Sequence, residues 1–171
     1  MSKRRTVMTL KIPGEIETVF RQFRTCEFST LSKDGTPITW PVTPIYEPEK
    51  NRFVITTTIG LPQKAFHIRH NPKVSLFFSD PTGSGLENPP FVLVQGDAEA
   101  PDQIVTWSEE LEKVCRHIFK RQPAGKANSS NGLMRYLLDW YYMRLFLYVT
   151  PKRILKWSNE DFKEKPYLLE V

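Results

Sequence analysis

Cysteine and histidine are scarce in this sequence, which has two cysteines and three histidines among 171 residues. Cys26 and Cys115 lie far apart and match no Cys-x-x-Cys pattern, so neither a zinc site nor a disulfide framework is indicated. His67 and His70 are three residues apart, but no third ligand stands at a suitable spacing, and we predict no metal site. Both cysteines are expected to be buried free thiols.

Long apolar runs are also missing. No stretch approaches the roughly 18 consecutive apolar residues that span a bilayer, and residues 1–14 lack the apolar run of a secretory signal. We therefore expect a cytoplasmic protein without a membrane partner. The net charge is +5, but the basic residues are dispersed except at positions 3–5, so we expect no nucleic-acid partner. The alternative, a basic nucleic-acid module, predicts binding that weakens steeply with salt.

Familiar catalytic motifs are absent as well. The sequence contains no Gly-x-Ser-x-Gly elbow, no Walker loop and no Gly-x-Gly-x-x-Gly dinucleotide motif. A hydrolase with an activated nucleophile and a Rossmann-type dinucleotide enzyme therefore have no support. No catalytic side chain can be named from the sequence. If the protein is an enzyme, we expect a bound cofactor to carry the difficult chemistry.

The composition suits one globular domain. With 171 residues and 40% hydrophobic content, the chain is long enough to bury a sizeable core and too short for a second independent domain. We therefore interpret residues 1–171 as a single domain. Apolar residues recur at helical spacing between positions 12 and 23, which predicts a short amphipathic helix over residues 15–24.

Turn signals divide the next stretch into strands. Asp34-Gly35 and the polar segment 47–51 each separate two apolar runs, so three antiparallel strands are predicted between residues 26 and 58. A proline removes a donor from a strand ladder, which predicts a sheet edge, a bulge or a wall against which something other than a strand docks. Three prolines fall in this stretch: Pro37, Pro41 and Pro44.

The remaining patterns predict further helices and strands. We expect helices over residues 62–70 and 102–121 and around 130–140. Strands are expected at residues 74–80 and 91–100, the second with a bulge at Gly96, followed by two closing strands split at Thr150-Pro151. Six or seven strands with short hairpins and few helices favour a closed or nearly closed antiparallel barrel of the α+β class.

One segment, ITTTIGLPQK, combines three hydroxyls, a turn and a lysine. Thr56 and Thr58 point to one face of the predicted strand and Thr57 to the other, while Gly60 permits a tight turn. The start of the next helix brings unpaired N–H donors, and Lys64 adds a full charge. Hydroxyls, backbone N–H donors and an ammonium together can bind a phosphate. An edge strand rich in threonine, beside a solvated lysine, is the alternative that the residues leave equally open.

The order of these segments resembles the FMN-binding split-barrel proteins of the pyridoxamine 5'-phosphate oxidase-like superfamily. The resemblance covers roughly residues 15–157. Its most specific element is the succession of Thr-Thr, Lys and Asn-Pro-x-Val-x-Leu within residues 55–76, and the Val-x-Gly-x-Ala strand supports it. The resemblance implies a six- to seven-stranded antiparallel split β-barrel with flanking helices, a homodimer, and flavin-type cofactors in grooves between the subunits.

The resemblance also implies a set of cofactor contacts. The cofactor phosphate would be held by Thr56, Thr57, Thr58 and Lys64. The ring system would be bordered by Pro41, Val42 and Thr43, reached by Gln95 from a neighbouring strand or subunit, and covered by Trp157.

The chain departs from true pyridoxamine 5'-phosphate oxidases in two places. Those enzymes carry an Arg and a Lys on the strand that here reads ITWPVTPIY, which has neither. They also end in a segment with Arg and His, and residues 157–171 contain neither of these two residue types. We therefore expect a different flavin-dependent oxidoreductase, which binds FMN and acts on a small organic substrate by hydride transfer. The alternatives are a reductase of the same fold that uses a deazaflavin of the coenzyme F-420 type, and a non-enzymatic flavin or haem carrier.

Overall fold

The computed structural model describes residues 12–106, 108–121, 143–158 and 162–171, and the helix predicted around 130–140 lies outside them. The helices are α1 (Gly14–Gln22), α2 (Gln63–His70) and α3 (Glu109–Arg121). None of these described helices is long and apolar enough to cross a bilayer. The strands are β1 (Cys26–Leu31), β2 (Pro37–Val42), β3 (Ile45–Glu47), β4 (Arg52–Thr58), β5 (Lys73–Phe78), β6 (Phe91–Glu99), β7 (Arg144–Trp157) and β8 (Tyr167–Glu170).

The strands form one antiparallel sheet in the order β2-β1-β5-β6-β7-β4-β3, with β8 paired to β7. β2 and β3 lie at opposite ends of this order, yet only Thr43 and Pro44 separate them in the chain. Three residue steps cover at most about 11 Å, so the sheet has to curl until its two ends approach each other. The predicted α+β antiparallel split barrel is confirmed, and β8 is a strand that the sequence did not reveal.

Helix α1 packs into the interior of the curled sheet. Its Phe20 is fully buried, and the centroid of the Phe20 ring lies 4.8–5.2 Å from those of Tyr46, Phe53 and Phe78. These three rings come from β3, β4 and β5, so one helical side chain joins the β3–β4 end of the sheet to a strand near its middle. Tilted and edge-to-face pairs of this kind add about 0.5–1.5 kcal/mol each beyond area burial. The predicted amphipathic helix is confirmed.

Strand β2 is a sheet edge, as its prolines predict, because β1 is its one partner among the described strands. The Ser32 N–H donates to the Thr36 carbonyl at 2.9 Å, and hydrogen-bonded pairs alternate along an antiparallel hairpin from that point. The odd-numbered residues of β2 therefore direct their backbone groups to the open edge. Pro37 and Pro41 are odd-numbered, so they remove donors from the open edge and none from the β1–β2 ladder.

Two strand predictions are wrong. The segment between the two turns is predicted as one strand, but β2 ends at Val42 and β3 begins at Ile45, because the chain passes there from one end of the sheet to the other. The C-terminal stretch is predicted as two strands, but β7 continues through Thr150 and Pro151 for 14 residues.

A register shift explains how Pro151 is tolerated inside β7. Gly96 pairs with Pro151 and Gln95 with Arg153, so Lys152 is an extra residue without a partner in the β6 register. The same point is where β7 changes its other neighbour from β4 to β8. A bulge is therefore present at Gly96, as predicted, but its extra residue lies on the neighbouring strand β7 and not on β6.

Helix α3 begins later than its apolar pattern predicts. The pattern predicts residues 102–121, but the helix starts at Glu109. Val105 instead forms a β-bridge to β7. The Ser108 hydroxyl accepts a hydrogen bond from the Leu111 N–H at 3.1 Å, as a helix-capping serine does. The cap sets the helix start and overrides the apolar spacing before it.

The bulge generates a stability prediction. A Cβ at Gly96 would collide with the backbone carbonyl oxygen of Thr150, which cannot rotate away. We expect Gly96→Ala to lower the free energy of unfolding by about 2–4 kcal/mol, measured by urea denaturation. The control is Gly14→Ala, where no atom lies within 4 Å of the added Cβ and we expect a change within about 1 kcal/mol. Equal losses in both variants would contradict the close approach at the bulge.

Candidate functional site

The turn between β4 and α2 is held by hydrogen bonds to Leu61. The Leu61 N–H donates to the Thr58 carbonyl at 3.1 Å, and the Thr57 hydroxyl donates to the Leu61 carbonyl at 2.8 Å. Thr57 is 4% exposed, so this bond replaces the water that its hydroxyl would otherwise bind. Thr57 therefore fixes the turn that leads into α2, and its O–H donor is used there.

The two neighbouring threonines point to the other face of β4. Side chains alternate along a strand, and Val54, which shares the face of Thr56 and Thr58, packs against α3. Both threonines are half-buried. Thr58 lies beside the turn, since a Cβ added at Gly60 would be 3.8 Å from its Oγ1. Thr57 and Thr58 therefore approach the turn from opposite faces of β4.

Lys64 lies in the first turn of α2 and is half-buried. Its Nζ is 4.8 Å from the centroid of the Trp40 ring, a distance at which a cation and an aromatic ring attract each other. Burial lowers the pKa of the Lys64 ammonium. Among the residues that the structure describes, no side chain caps α2 at Pro62, so the N–H groups of its first turn have no side-chain acceptor there. A cation and backbone donors thus lie together at this helix start.

His67 lies one helical turn beyond Lys64 and also contacts Trp40, with ring centroids 5.7 Å apart. The Nδ1 atom of His67 is 3.0 Å from the hydroxyl of Thr30, which is 1% exposed. From the sequence, His67 was weighed as a metal ligand against an ordinary exposed helix histidine, and nothing placed Trp40 beside Lys64. The three-residue spacing of Lys64 and His67 was the available signal, because it puts both side chains on one helix face.

The open edge of β2 holds the residues predicted to border a ring system. Pro41 is exposed, Val42 is buried, and Thr43 is half-buried in the link to β3. Because Pro37 and Pro41 have no N–H, the odd-numbered positions of β2 present three carbonyls but only the Thr39 N–H to this edge. The edge is therefore rich in acceptors and poor in donors.

Gln95 and Trp157 lie on the outer face of the sheet, away from α1. Gln95 is paired with Arg153, and Trp157 is paired with Phe91, four residues further along β7. Four residues of a strand span about 13 Å. The Trp157 ring has an aromatic neighbour in Phe162, at 5.9 Å between centroids. Within the single chain, Gln95 and Trp157 therefore belong to separate environments.

The predicted site residues form three groups in the folded chain. The first surrounds the turn and the start of α2, the second is the open edge of β2, and the third is the outer face. In that order, the groups are Thr56, Thr57, Thr58 and Lys64; Pro41, Val42 and Thr43; and Gln95 and Trp157. In the part of the chain that the structure describes, no cluster of three His, Cys, Asp or Glu residues could hold a metal ion.

Helix α3 contacts the link between β2 and β3 through His117, which hydrogen-bonds to the Pro44 backbone carbonyl. The Nε2 atom of His117 is buried and has no hydrogen-bond partner among the described residues. Burial, followed by the nearby charge of Arg121, lowers the pKa of His117 to about 4. The imidazole is therefore neutral at pH 7, and the folded protein resists its protonation.

This shift predicts a pH-dependent stability. The ordinary histidine pKa is 6.5, so between pH 6.5 and 4 the unfolded chain binds a proton that the folded chain does not. The stabilisation from neutral His117 should be fully present above pH 6.5. The free energy of unfolding should fall by about 1–2 kcal/mol as the pH drops to 4, a value that is reduced for partial solvent screening. Urea unfolding of the wild type and His117→Leu at several pH values measures this loss, which the variant should lack. The exposed His70→Leu should retain the wild-type profile, and an unchanged slope in His117→Leu would refute the assignment.

The family model described as pyridoxamine 5'-phosphate oxidase matches residues 12–155 of the chain. No curated protein matches it. Among solved structures, the conserved hypothetical protein Rv2991 from Mycobacterium tuberculosis superposes with a TM-score of 0.61 at 20% identity, over 99% of this chain and 97% of that one.

Two further solved structures share the fold. An F420 reductase has a TM-score of 0.58 at 21% identity, over 84% of this chain and 98% of that one. A heme-binding protein from Mycobacterium smegmatis has a TM-score of 0.56 at 15% identity, over 94% of this chain and 60% of that one. At these identities the likeness establishes the fold alone.

Proposed function

Because the chain belongs to the pyridoxamine 5'-phosphate oxidase family, we propose that it is a homodimeric flavin-dependent oxidoreductase that binds FMN and transfers a hydride to or from a small organic substrate. The observation that carries the proposal is the half-buried ammonium of Lys64, which lies over Trp40 at a helix start without a side-chain cap. A desolvated cation beside uncapped N–H groups is an arrangement that binds anions.

The donors at this helix start fit the phosphate of FMN. In the proposal, Lys64 supplies the charge, and the first-turn N–H groups of α2 and the Thr58 hydroxyl supply further donors. Hydrogen bonds to a charged acceptor are about twice as strong as neutral ones. Thr57 acts indirectly, since its bond to Leu61 holds the turn in place. Thr56 lies one strand repeat back on the Thr58 face, and its contact with the phosphate stays a prediction.

The open edge of β2 fits the ring system in the same proposal. Pro41, Val42 and Thr43 would border the ring, and the carbonyls of the edge would accept hydrogen bonds from ring N–H groups. FMN, when bound, supplies the hydride-transferring ring. The residues of the chain orient the ring and the substrate and keep water away from them.

A second copy of the chain would complete the site. Trp157 lies on the outer face, so in the proposal it covers the ring of the partner subunit's cofactor. The same face exposes large apolar side chains beside it, since Phe162 is 57% exposed and Leu168 is 45% exposed. Apolar patches of this kind mark protein interfaces. Gln95 also lies on the outer face and not at the Lys64 site of its own chain, so its contact with the cofactor stays a prediction.

The dimer predicts a concentration-dependent mass in solution. We expect sedimentation equilibrium at micromolar concentration to show a dimer of the 20.0 kDa chain. Leu168→Glu should shift it towards monomer, because a charge would be desolvated in the interface. The control is Ile104→Glu, which changes a residue that is 53% exposed and precedes α3, and should leave the mass unchanged. A wild-type monomer would contradict the dimer.

Lys64 generates the sharpest prediction for the cofactor. We expect Lys64→Ala to weaken FMN binding by about 1.5–3 kcal/mol, because a hydrogen bond from a charged group to the phosphate would be lost. Titration of the purified chain with FMN, followed by visible absorption, measures this. Lys33→Ala, an exposed lysine on the β1–β2 hairpin, is the matched control and should bind as the wild type does. Unchanged affinity in Lys64→Ala would remove this lysine from the site.

The deazaflavin is the second candidate cofactor, because the F420 reductase shares this fold. Its longer anionic tail needs cations beyond Lys64. Arg69 is already bonded to the Ala100 carbonyl at 2.8 Å and to Asp102 at 3.0 Å, and Lys73 pairs with Asp97 at 2.6 Å. Because these two cations already have partners, they are not available for a longer anionic tail, which favours FMN over the deazaflavin. Deazaflavin and haem titrations of the same preparation test the alternatives, and a bound ligand that no donor reduces would indicate a carrier.

A further inference from the structure

The outer face of the sheet contains a pocket of about 400 Å³. It lies away from Lys64, because Pro37, which lines it, is on the face of β2 opposite to Trp40. Its floor is formed by β1, β5, β6 and β7, the central strands of the sheet.

The floor is a row of hydrogen-bonding side chains. Ser29 pairs with Ser75, Ser75 with Gln95, and Gln95 with Arg153, so the strand registers place the four residues side by side. All four line the pocket. The row continues to β2, where the Thr39 hydroxyl is 2.7 Å from that of Ser29. Hydroxyls and an amide can each donate to a bound anion.

The β7 bulge adds two adjacent cations to this pocket. In a regular strand, successive side chains alternate between the faces. Here Lys152 and Arg153 are both exposed and both line the pocket, because Lys152 is the extra residue of the bulge. Among the described residues, neither forms an ion pair, although Glu170 stands opposite Arg153 in the register. Bulges that redirect side chains in this way occur next to functional sites.

The other lining residues leave these two cations as the unbalanced charge. Lys73 also lines the pocket, but it pairs with Asp97 at 2.6 Å, so the two cancel. Leu31 and Pro37 form an apolar wall. The pocket therefore offers hydrogen-bond donors on its floor, a net positive charge on one side and an apolar surface on another.

We propose that this pocket is a second ligand site, separate from the Lys64 site, that binds a small organic anion with a carboxylate or phosphate group and an apolar body. Lys152 and Arg153 bind the anionic group, and Ser75 and Gln95 hydrogen-bond to it. The apolar body lies against Leu31 and Pro37. Gly96 supports the site indirectly, because it permits the bulge that turns both cations outward.

NMR titration of the ¹⁵N-labelled full chain tests the proposal with three probes: benzoate, phenyl phosphate and the neutral benzyl alcohol. We expect saturable amide shifts for Ser75, Gln95 and Gly96 with benzoate or phenyl phosphate and none with benzyl alcohol. Whichever of the two anions binds more tightly shows whether the site prefers a carboxylate or a phosphate group. The Lys152→Gln/Arg153→Gln double variant should bind at least tenfold more weakly, whereas Lys33→Gln should bind as the wild type does.

A second variant keeps the test independent of folding. Ser75→Leu fills the pocket without changing its charge and should also weaken binding at least tenfold, with a melting temperature close to that of the wild type. The proposal is overturned if no amide of the pocket shows saturable shifts, if both variants bind as the wild type does, or if the shifts are centred on α2. FMN titration of the same variants should be unchanged, which separates this site from the proposed cofactor site.

Discussion

The two-residue link between β2 and β3 is the constraint on which the architecture depends. Thr43 and Pro44 join strands from opposite ends of the sheet, so the sheet cannot open flat. Closure brings the rings of Tyr46, Phe53 and Phe78 around Phe20, and it leaves β2 as an edge whose backbone is open. The neutral imidazole of His117 holds the link from outside. The candidate ring site thus exists because the barrel closes through a covalent link and not through a last strand pair.

The bulge opposite Gly96 is the second organising feature. It accommodates Pro151 in the longest strand, and it marks the point where β7 exchanges β4 for β8. The bulge also turns Lys152 and Arg153 to the same side. The irregularity that accommodates Pro151 therefore also creates a positively charged surface. A side chain at position 96 would have to alter both, since the Thr150 carbonyl occupies the space it needs.

The sequence predicted the features that local chemistry determines. Proline, Asp-Gly and helical spacing located the edge strand, the hairpin and α1, because each acts within a few residues. It did not predict that β2 and β3 separate or that β7 is continuous, since both depend on partners distant in the chain. For the candidate site, the place of Lys64 after the threonines predicted a phosphate contact, whereas its position over Trp40 depends on the barrel bringing α2 to β2.

The division of the predicted site residues between two faces bears on how one domain could serve catalysis. Alternation along each strand sends Trp40 towards α2 and Pro37 to the outer pocket, so the Lys64 ammonium and the Arg153 side chain lie on opposite faces of the sheet. Hydride transfer requires cofactor and substrate in contact. If the outer pocket serves the reaction, a second copy of the chain whose outer face lies against the open edge of β2 would bring the two ligands together. Dimerisation would then contribute to the chemistry of the site and would also bury its apolar rim.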